Sequence, residues 1–179
     1  FLNRVVPYKN VDHLILAFKI VKSKIPNAVL YIVGCRGTPY EAKLRKLAEK
    51  LGTRNSIRFY KFSDGEAKKE FLQKAWVHVL PSTKEGWGIS VLEAASCGTP
   101  TVAYNVTGLR DSVKDKVTGL LVPYGNIKAL AHAIIEVLTN DELRAQLSHN
   151  ARKWAQCFSW DRTAKIALNA MEYSIKLKS

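Results

Sequence analysis

Residues 80–104 (LPSTKEGWGISVLEAASCGTPTVAY) constrain the fold most, because they encode a strand end, a glycine loop, a helix and a second strand start. The apolar segment 75–80 predicts a short strand that stops at Pro81, and residues 100–104 predict the next strand. One helix is predicted between them, over about 88–97, with Gly98 as its left-handed stop. A functional site is therefore sought where this loop meets this helix.

Strands and helices alternate along the rest of the chain. Residues 28–33 form a continuous apolar run, which is typical of a parallel strand buried on both faces. Strands are also predicted at 57–60 and 117–122, and helices are predicted at about 12–25, 40–52, from 63, and at 127–139, 141–157 and 160–177. This order predicts one α/β domain over residues 1–179, with a Rossmann-like, open, mostly parallel sheet and helices on both faces.

Polar and aromatic side chains mark several helix ends. Asp12 can cap the first helix and Asn126 can cap the helix at 127–139. Ser63 and Glu66 can form a capping box. The aromatic residues around the last helix break are predicted to be core side chains: Trp154, Phe158 and Trp160.

The chain carries 28 lysines and arginines against 15 acidic residues, a net charge of +13. This charge favours an anionic partner: a nucleoside diphosphate, a nucleic acid or an anionic lipid. Charge alone leaves the three open. The sequence has no recognisable helix-turn-helix, RNP-like aromatic run or zinc pattern, so a nucleic-acid-binding α/β domain is only a remote alternative.

The cysteines and the hydropathy pattern indicate a compartment. Cys35, Cys97 and Cys157 are odd in number and widely spaced, which is typical of reduced packing residues rather than of a disulfide framework or a metal site. No secretory leader and no run of about 18 apolar residues occurs. We therefore expect a cytoplasmic chain.

The predicted helix start after Gly88 has the properties of an anion site. Free backbone N–H groups and the positive end of the helix dipole lie there, and Gly86 and Gly88 carry no side chain that would block a ligand. Glu93 lies in the same apolar helix, with no basic residue three or four positions away. A buried, unpaired carboxylate costs several kcal/mol, so Glu93 needs hydroxyl donors, such as a sugar or ribose diol, or a distant cation. The alternative is that Glu85 is a solvated loop residue and that a distant lysine, arginine or backbone N–H satisfies Glu93.

The first residues add two cations. Residues 1–6 are predicted to be a strand whose beginning is missing, because a core strand rarely opens a chain. Arg4 and Lys9 flank the turn at Pro7, at the strand's carboxyl end, where open α/β sheets bind their ligands. Two cations at this place suit a diphosphate; the alternative is that both are solvated surface charges.

These residues together resemble a known family. Glu85, seven intervening residues and Glu93, in the motif EGWG-x3-LEA-x2-CGTP, resemble the acidic signature of the retaining GT-B glycosyltransferases, the group 1 type or glycosyltransferase family four. The R-x-x-P-x-K pattern from Arg4 to Lys9 and the FSWD at 158–161 are also similar to that family. The resemblance covers the chain from Arg4 to about Tyr173 and identifies it as the carboxy-terminal half of a GT-B fold.

The resemblance implies a role for each matching residue. Glu85 would contact the donor sugar, Glu93 would bind the ribose, and Arg4 with Lys9 would neutralise the leaving diphosphate. Glu85, Arg4 and Lys9 are thus the expected catalytic residues. The loop at 61–63 would touch the nucleotide base. The remaining donor-binding residues expected from the resemblance are Gly86, Trp87, Gly88, Ile89, Ser90, Gly34, Lys61, Phe62 and Gly108.

The resemblance also implies a function. The chain would be the donor-binding domain for a UDP-, GDP- or ADP-sugar, in a protein that transfers the sugar with retention to a glycan, lipid or small-molecule acceptor. Neither a metal nor a cofactor is expected. The acceptor domain would precede this chain and is absent from it, helix 160–177 would cross back towards that domain, and the isolated chain would be inactive. Some relatives work at anionic membrane surfaces, so the cytoplasmic face of a membrane is a further expected location. The alternative is a non-catalytic nucleotide-sugar-binding module or an epimerase-like domain.

Overall fold

The computed structural model describes residues 1–61 and 65–176. The strands are β1 (Leu30–Cys35), β2 (Ile57–Lys61), β3 (His78–Leu80), β4 (Thr101–Tyr104) and β5 (Gly119–Val122). The helices are α1 (Val11–Lys24), α2 (Pro39–Lys50), α3 (Gly65–Lys74), α4 (Ile89–Ser96), α5 (Leu109–Ser112), α6 (Ile127–Thr139), α7 (Asp141–Ala155) and α8 (Trp160–Lys176). Short 3-10 turns lie at Pro7–Lys9 and Arg54–Ser56.

The strands pair in parallel. β1 pairs with β2, and β3, β4 and β5 form a second group with β4 in the centre. The first residues lie against β1: the backbone N–H of Val33 donates to the Phe1 carbonyl (2.9 Å) and the N–H of Asn3 donates to the Val33 carbonyl (3.1 Å). In place of the strand predicted at 1–6, the structure has a single parallel β-bridge between Leu2 and Val33.

Helices cover both faces of the sheet, as predicted. α1 contacts α2 and α6, while α4 contacts α3 and α7. The apolar side chains of the strands lie in the core between these layers, with Ile32, Leu80 and Val102 fully buried. The α/β prediction is confirmed. Because parallel strands end at one edge of a sheet, the loops after β3 and β4 meet at the carboxyl edge, where the N–H of Glu85 donates to the Thr107 carbonyl (3.2 Å).

Two of the local predictions are changed by neighbouring segments. Asp12 does not cap α1; Asn10 occupies the cap position, and the Asp12 carboxylate accepts a hydrogen bond from the Tyr40 hydroxyl (3.0 Å). The turn at Pro7–Lys9 ends at Asn10, so the helix begins before Asp12. Asn126 caps α6 as predicted, through the N–H of Ala129 (2.9 Å). Ser63, and with it the capping box, lies outside the described residues.

The aromatic residues at the last helix break are not a buried core. Trp160 is 82% exposed, because every described side chain of α8 up to residue 175 lies at the surface. Phe158 is partly exposed and packs edge to face on Trp154, with ring centres 4.8 Å apart. The core prediction is wrong for Trp160, and α8 as a whole lies outside the core.

Candidate functional site

A buried ion pair lies at the carboxyl edge of the sheet. The Lys9 ammonium donates to Oε1 of Glu85, and the side chains are only 3% and 11% exposed. The Ser82 hydroxyl donates to the same Oε1 (2.6 Å). Glu85 is therefore not a solvated loop residue. A pair removed from water to this degree needs both partners and added hydrogen bonds to hold its charges.

The turn that carries Lys9 is tied to the loop that carries Glu85. The N–H of Thr83 donates to the Tyr8 carbonyl (2.8 Å). The Asn10 amide donates to the Pro81 carbonyl (2.9 Å) and to the Thr83 hydroxyl (3.1 Å). Asn10 holds a left-handed backbone (φ 48°), which is uncommon outside glycine but tolerated by asparagine. These hydrogen bonds hold Lys9 against the loop after β3.

Arg4 and Lys9 are not equivalent cations. Arg4 is exposed and its guanidinium lies 3.4 Å from the Tyr8 hydroxyl. The Lys9 ammonium lies 5.0 Å from the centre of the Tyr8 ring on the buried side. Lys9 is buried and paired with Glu85, while Arg4 lies at the surface, so the alternative that both are solvated surface charges is wrong for Lys9. Their expected role towards a diphosphate stays a prediction.

Glu93 is half-buried and ion-paired. Its carboxylate accepts from the Lys68 ammonium, and the two side chains are 33% and 26% exposed. Glu93 is therefore less buried than expected, and of the two partners considered for it, hydroxyl donors or a distant cation, the structure shows the distant cation. Lys68 lies on α3, which packs against α4, so no spacing within α4 could reveal it.

The amino terminus of α4 presents its backbone amides at this edge. Gly88 is the cap residue, with φ 90°, and no described residue caps the helix with its side chain. Ser90 is buried and its hydroxyl accepts from the Asn3 amide (3.2 Å), while Ile89 is exposed. The unpaired N–H groups and the helix dipole can together hold an anion.

Two of the expected glycines lie in close contact with neighbouring loops. A Cβ on Gly108 would lie 2.2 Å from the Glu85 carbonyl oxygen, and one on Gly34 would lie 1.9 Å from that of Asn3. Both have positive φ, 80° and 125°. Their expected role beside a ligand stays a prediction. Gly86 differs, because its Cβ would meet nothing within 4 Å.

Other expected donor-binding residues lie around this centre. Lys61 is exposed at the end of β2 and pairs in register with Cys35. Trp87 is 37% exposed and its ring centre lies 5.5 Å from that of Phe158. Phe62 lies outside the described residues.

Three residues of the site were not predicted: Asn3, Ser82 and Lys68. Ser82 lies three positions before Glu85, and this short separation in sequence could have indicated it. Asn3 is polar at the end of an apolar segment, which is a weaker signal. Lys68 is one of several lysines on an amphipathic helix and carries no signal of its own.

Within residues 1–61 and 65–176, no group of three histidine, cysteine, aspartate or glutamate side chains could hold a metal ion. No helix in this part of the chain is long and apolar enough to cross a membrane.

The comparisons with known proteins agree with this geometry. The family model described as "Glycosyl transferases group 1" matches residues 1–154. The D-inositol 3-phosphate glycosyltransferase of Saccharomonospora viridis is 37% identical over 176 residues, which cover 94% of this chain and 41% of that protein. The chain thus spans less than half the length of this relative.

Solved structures show the same fold. A structure of Staphylococcus aureus TarM in complex with UDP has a TM-score of 0.85 and 26% identity, covering 94% of this chain and 34% of that one. Anabaena HepE in complex with UDP-glucose has a TM-score of 0.88 at 23% identity, covering 96% and 47%. This chain therefore belongs to the group 1 family of glycosyl transferases.

Proposed function

We propose that this chain is the donor-binding domain of a retaining glycosyltransferase and that it binds a nucleoside diphosphate sugar. The observation that carries the proposal is the meeting, at one edge of the sheet, of the start of α4 with the buried Lys9–Glu85 pair. An anion and a hydroxyl-rich group bound side by side would satisfy both features. A sugar diphosphate has that composition.

The chemistry follows from charge. When the bond between the sugar carbon and the diphosphate breaks, negative charge grows on the leaving diphosphate. The backbone amides at Gly88, Ile89 and Ser90 and the Arg4 guanidinium would stabilise this charge, and they need no reorganisation because the fold already holds them. Glu85, held by Lys9 and Ser82, would accept hydrogen bonds from hydroxyl groups of the sugar.

Glu93 would serve the ribose. It lies in the middle of α4, where it is partly exposed and ion-paired with Lys68, and its carboxylate oxygens can accept hydrogen bonds from a diol. We propose UDP as the nucleotide, because the structure of TarM, which is 26% identical in sequence to this chain, contains UDP. We also propose binding without a metal, because helix amides and Arg4 supply the positive charge.

The remainder of the protein would supply the acceptor site. The relatives are more than twice as long as this chain, and the Saccharomonospora viridis protein is a D-inositol 3-phosphate glycosyltransferase. We propose that a further domain closes over the carboxyl edge and presents a glycan, lipid or small-molecule acceptor. We also propose that the protein acts in the cytoplasm. Its three cysteines are free thiols, as expected in a reducing compartment: Cys35, Cys97 and Cys157.

Titration calorimetry in EDTA, with UDP and with UDP-glucose, tests the proposal. Glu93→Gln should weaken binding of free UDP by about ten- to a hundredfold, the scale of a hydrogen bond to a charged group. Glu85→Gln should leave UDP binding nearly unchanged and remove the added affinity of the sugar-bearing donor. Arg4→Ala should weaken both ligands alike.

Glu70→Gln provides a matched control. Glu70 is an exposed acid that pairs with Lys74 on α3, so its replacement should change neither affinity. If UDP binds only with added Mg²⁺, the proposal of binding without a metal is wrong. If Glu85→Gln and Glu93→Gln weaken the binding of free UDP equally, the proposed division of roles between Glu85 and Glu93 is wrong.

A further inference from the structure

Trp87 lies in a loop whose two glycines allow the backbone many conformations. We call residues 85–88 the donor loop; Gly86 and Gly88 flank Trp87 within it. Gly88 has φ 90°, and Gly86 has open space where a Cβ would lie. Glycine loses more conformational freedom on ordering than any other residue. The position of this loop therefore depends on contacts with neighbouring segments: the backbone of Glu85 contacts residues 107–108, and the Trp87 ring contacts Phe158.

The Trp87 side chain is held by an aromatic series from the junction of α7 and α8. Trp87 packs edge to face on Phe158, with ring centres 5.5 Å apart, and Phe158 packs edge to face on Trp154 at 4.8 Å. Such geometry is the favoured one for aromatic pairs. The indole N–H of Trp154 donates to the Ser112 carbonyl (2.9 Å), and the Lys114 ammonium lies 4.7 Å from the Trp154 ring centre.

The series returns to the donor loop at its far end. The Ser112 hydroxyl donates to the Gly108 carbonyl (3.1 Å) and would lie 3.3 Å from a Cβ on Gly88. Gly108 in turn lies against the Glu85 carbonyl. Three segments distant in sequence, the donor loop, residues 108–114 and residues 154–158, thus brace one another.

We propose that Phe158 is a positioning residue for donor binding, which acts through Trp87 to hold the amides at the start of α4 and the Glu85 carboxylate in place. Phe158 need not touch the ligand. Its ring fills the space between Trp87 and Trp154, so without it the donor loop would lose its aromatic contact and would have to be ordered at the expense of binding. The nature of the ligand in this proposal rests on the proposed function, whereas the coupling between Phe158 and the donor loop rests on the geometry.

The test compares Phe158→Ala, Phe158→Tyr and Trp160→Ala by calorimetry with UDP. Phe158→Ala should weaken UDP binding by about three- to tenfold, the range of one or two aromatic pairs. Phe158→Tyr keeps the ring, and its partly exposed position leaves room for a hydroxyl, so affinity should return to that of the wild type. Trp160→Ala removes an exposed ring two residues away and should change nothing.

Hydrogen exchange without ligand separates this proposal from the proposed function. In Phe158→Ala, the backbone amides of residues 86–90 should exchange faster than in the wild type, while those of β4 should not change. Fluorotryptophan NMR should show the Trp87 and Trp154 resonances shifted by Phe158→Ala and that of Trp76 unshifted. Phe158→Leu, which retains apolar bulk, gives the same comparison if the alanine variant folds poorly.

Each outcome is decisive. If the wild type binds UDP and Phe158→Ala binds it equally well, the coupling is refuted while the proposed function stands. If the wild type binds no nucleotide, the proposed function fails, and the exchange rates alone decide whether Phe158 positions the loop. Faster exchange in both Phe158→Ala and Trp160→Ala would show general loosening and would overturn the proposal.

Discussion

A mutation at Lys9 or Glu85 will affect the stability of the fold as well as ligand binding. Both charges are almost wholly removed from water, so truncating one leaves the other buried without its counter-charge. A loss of activity in such a variant would combine a change of binding with a change of folding. Stability must therefore be measured beside affinity.

We expect Lys9→Met to lower the free energy of unfolding by about 3 kcal/mol, the scale on which breaking a buried ion pair destabilises. The double variant Lys9→Met with Glu85→Leu should recover much of this loss, because no unpaired charge remains. Urea unfolding at pH 7.5 measures all three proteins.

Lys68→Met is the matched control for that experiment. Its pair with Glu93 is more exposed, so the loss should stay below about 1 kcal/mol. Equal losses for Lys9→Met and Lys68→Met would mean that burial does not distinguish the two pairs.

At the level of elements, the loops after β3 and β4 pack too closely to admit side chains. Gly108 occupies a left-handed conformation directly against the Glu85 carbonyl. The loop after β4 thereby sets the position of the donor loop, and the short helix α5 that follows is held by the buried Leu109 and Ser112. This short helix was not among the helices predicted from the sequence, because the burial of Leu109 and Ser112 comes from tertiary packing.

Gly108→Ala should lower the free energy of unfolding by about 2 kcal/mol or more, since strain at positive φ and a steric clash add. Gly86→Ala, in the same donor loop but with open space at its Cβ and no positive φ, should change stability by less than about 0.5 kcal/mol. Thermal unfolding of both variants is the measurement. A tolerated Gly108→Ala would contradict the close packing of the two loops.

At the level of the whole molecule, His78 makes stability depend on pH. It is buried at the start of β3, where its Nδ1 lies 3.2 Å from the Thr101 hydroxyl. Within the described residues, its Nε2 has no hydrogen-bond partner. Burial, with a smaller contribution from the positive charge of Lys9, lowers the pKa of His78 to about 3.

The unfolded chain binds a proton at His78 near the ordinary pKa of about 6.5, while the folded chain does not until about pH 3. Stability is therefore complete above pH 6.5 and falls as the pH drops from there towards 3, by about 1.4 kcal/mol per pH unit. Between pH 6.5 and 5 we expect His78 to account for a loss of about 2 kcal/mol.

His78→Gln removes this proton and should flatten the pH dependence by that amount. Urea unfolding of both proteins at pH 7.5 and pH 5 isolates the effect, because the carboxylates contribute equally to both. Parallel pH profiles for wild type and variant would show that His78 is not buried as described.

The sequence by itself determined the features that depend on neighbours along the chain. The alternation of apolar strands and helices gave the parallel α/β fold, Asn126 gave its cap, and the Glu85–Glu93 motif indicated the family that the comparisons show. Strand periodicity and caps are local, so a single sequence contains them. The crossing of helix 160–177 towards another domain, and the roles of the individual site residues, stay predictions.

Only the tertiary structure decided which charges and hydroxyls meet. Lys9 pairs with Glu85 across 76 positions, Lys68 with Glu93 across 25, and Asn3 with Ser90 across 87. No local pattern can select these partners, because each contact exists only after strands and helices that are distant in sequence have packed together. Of the two cations predicted together, packing buried Lys9 and left Arg4 at the surface.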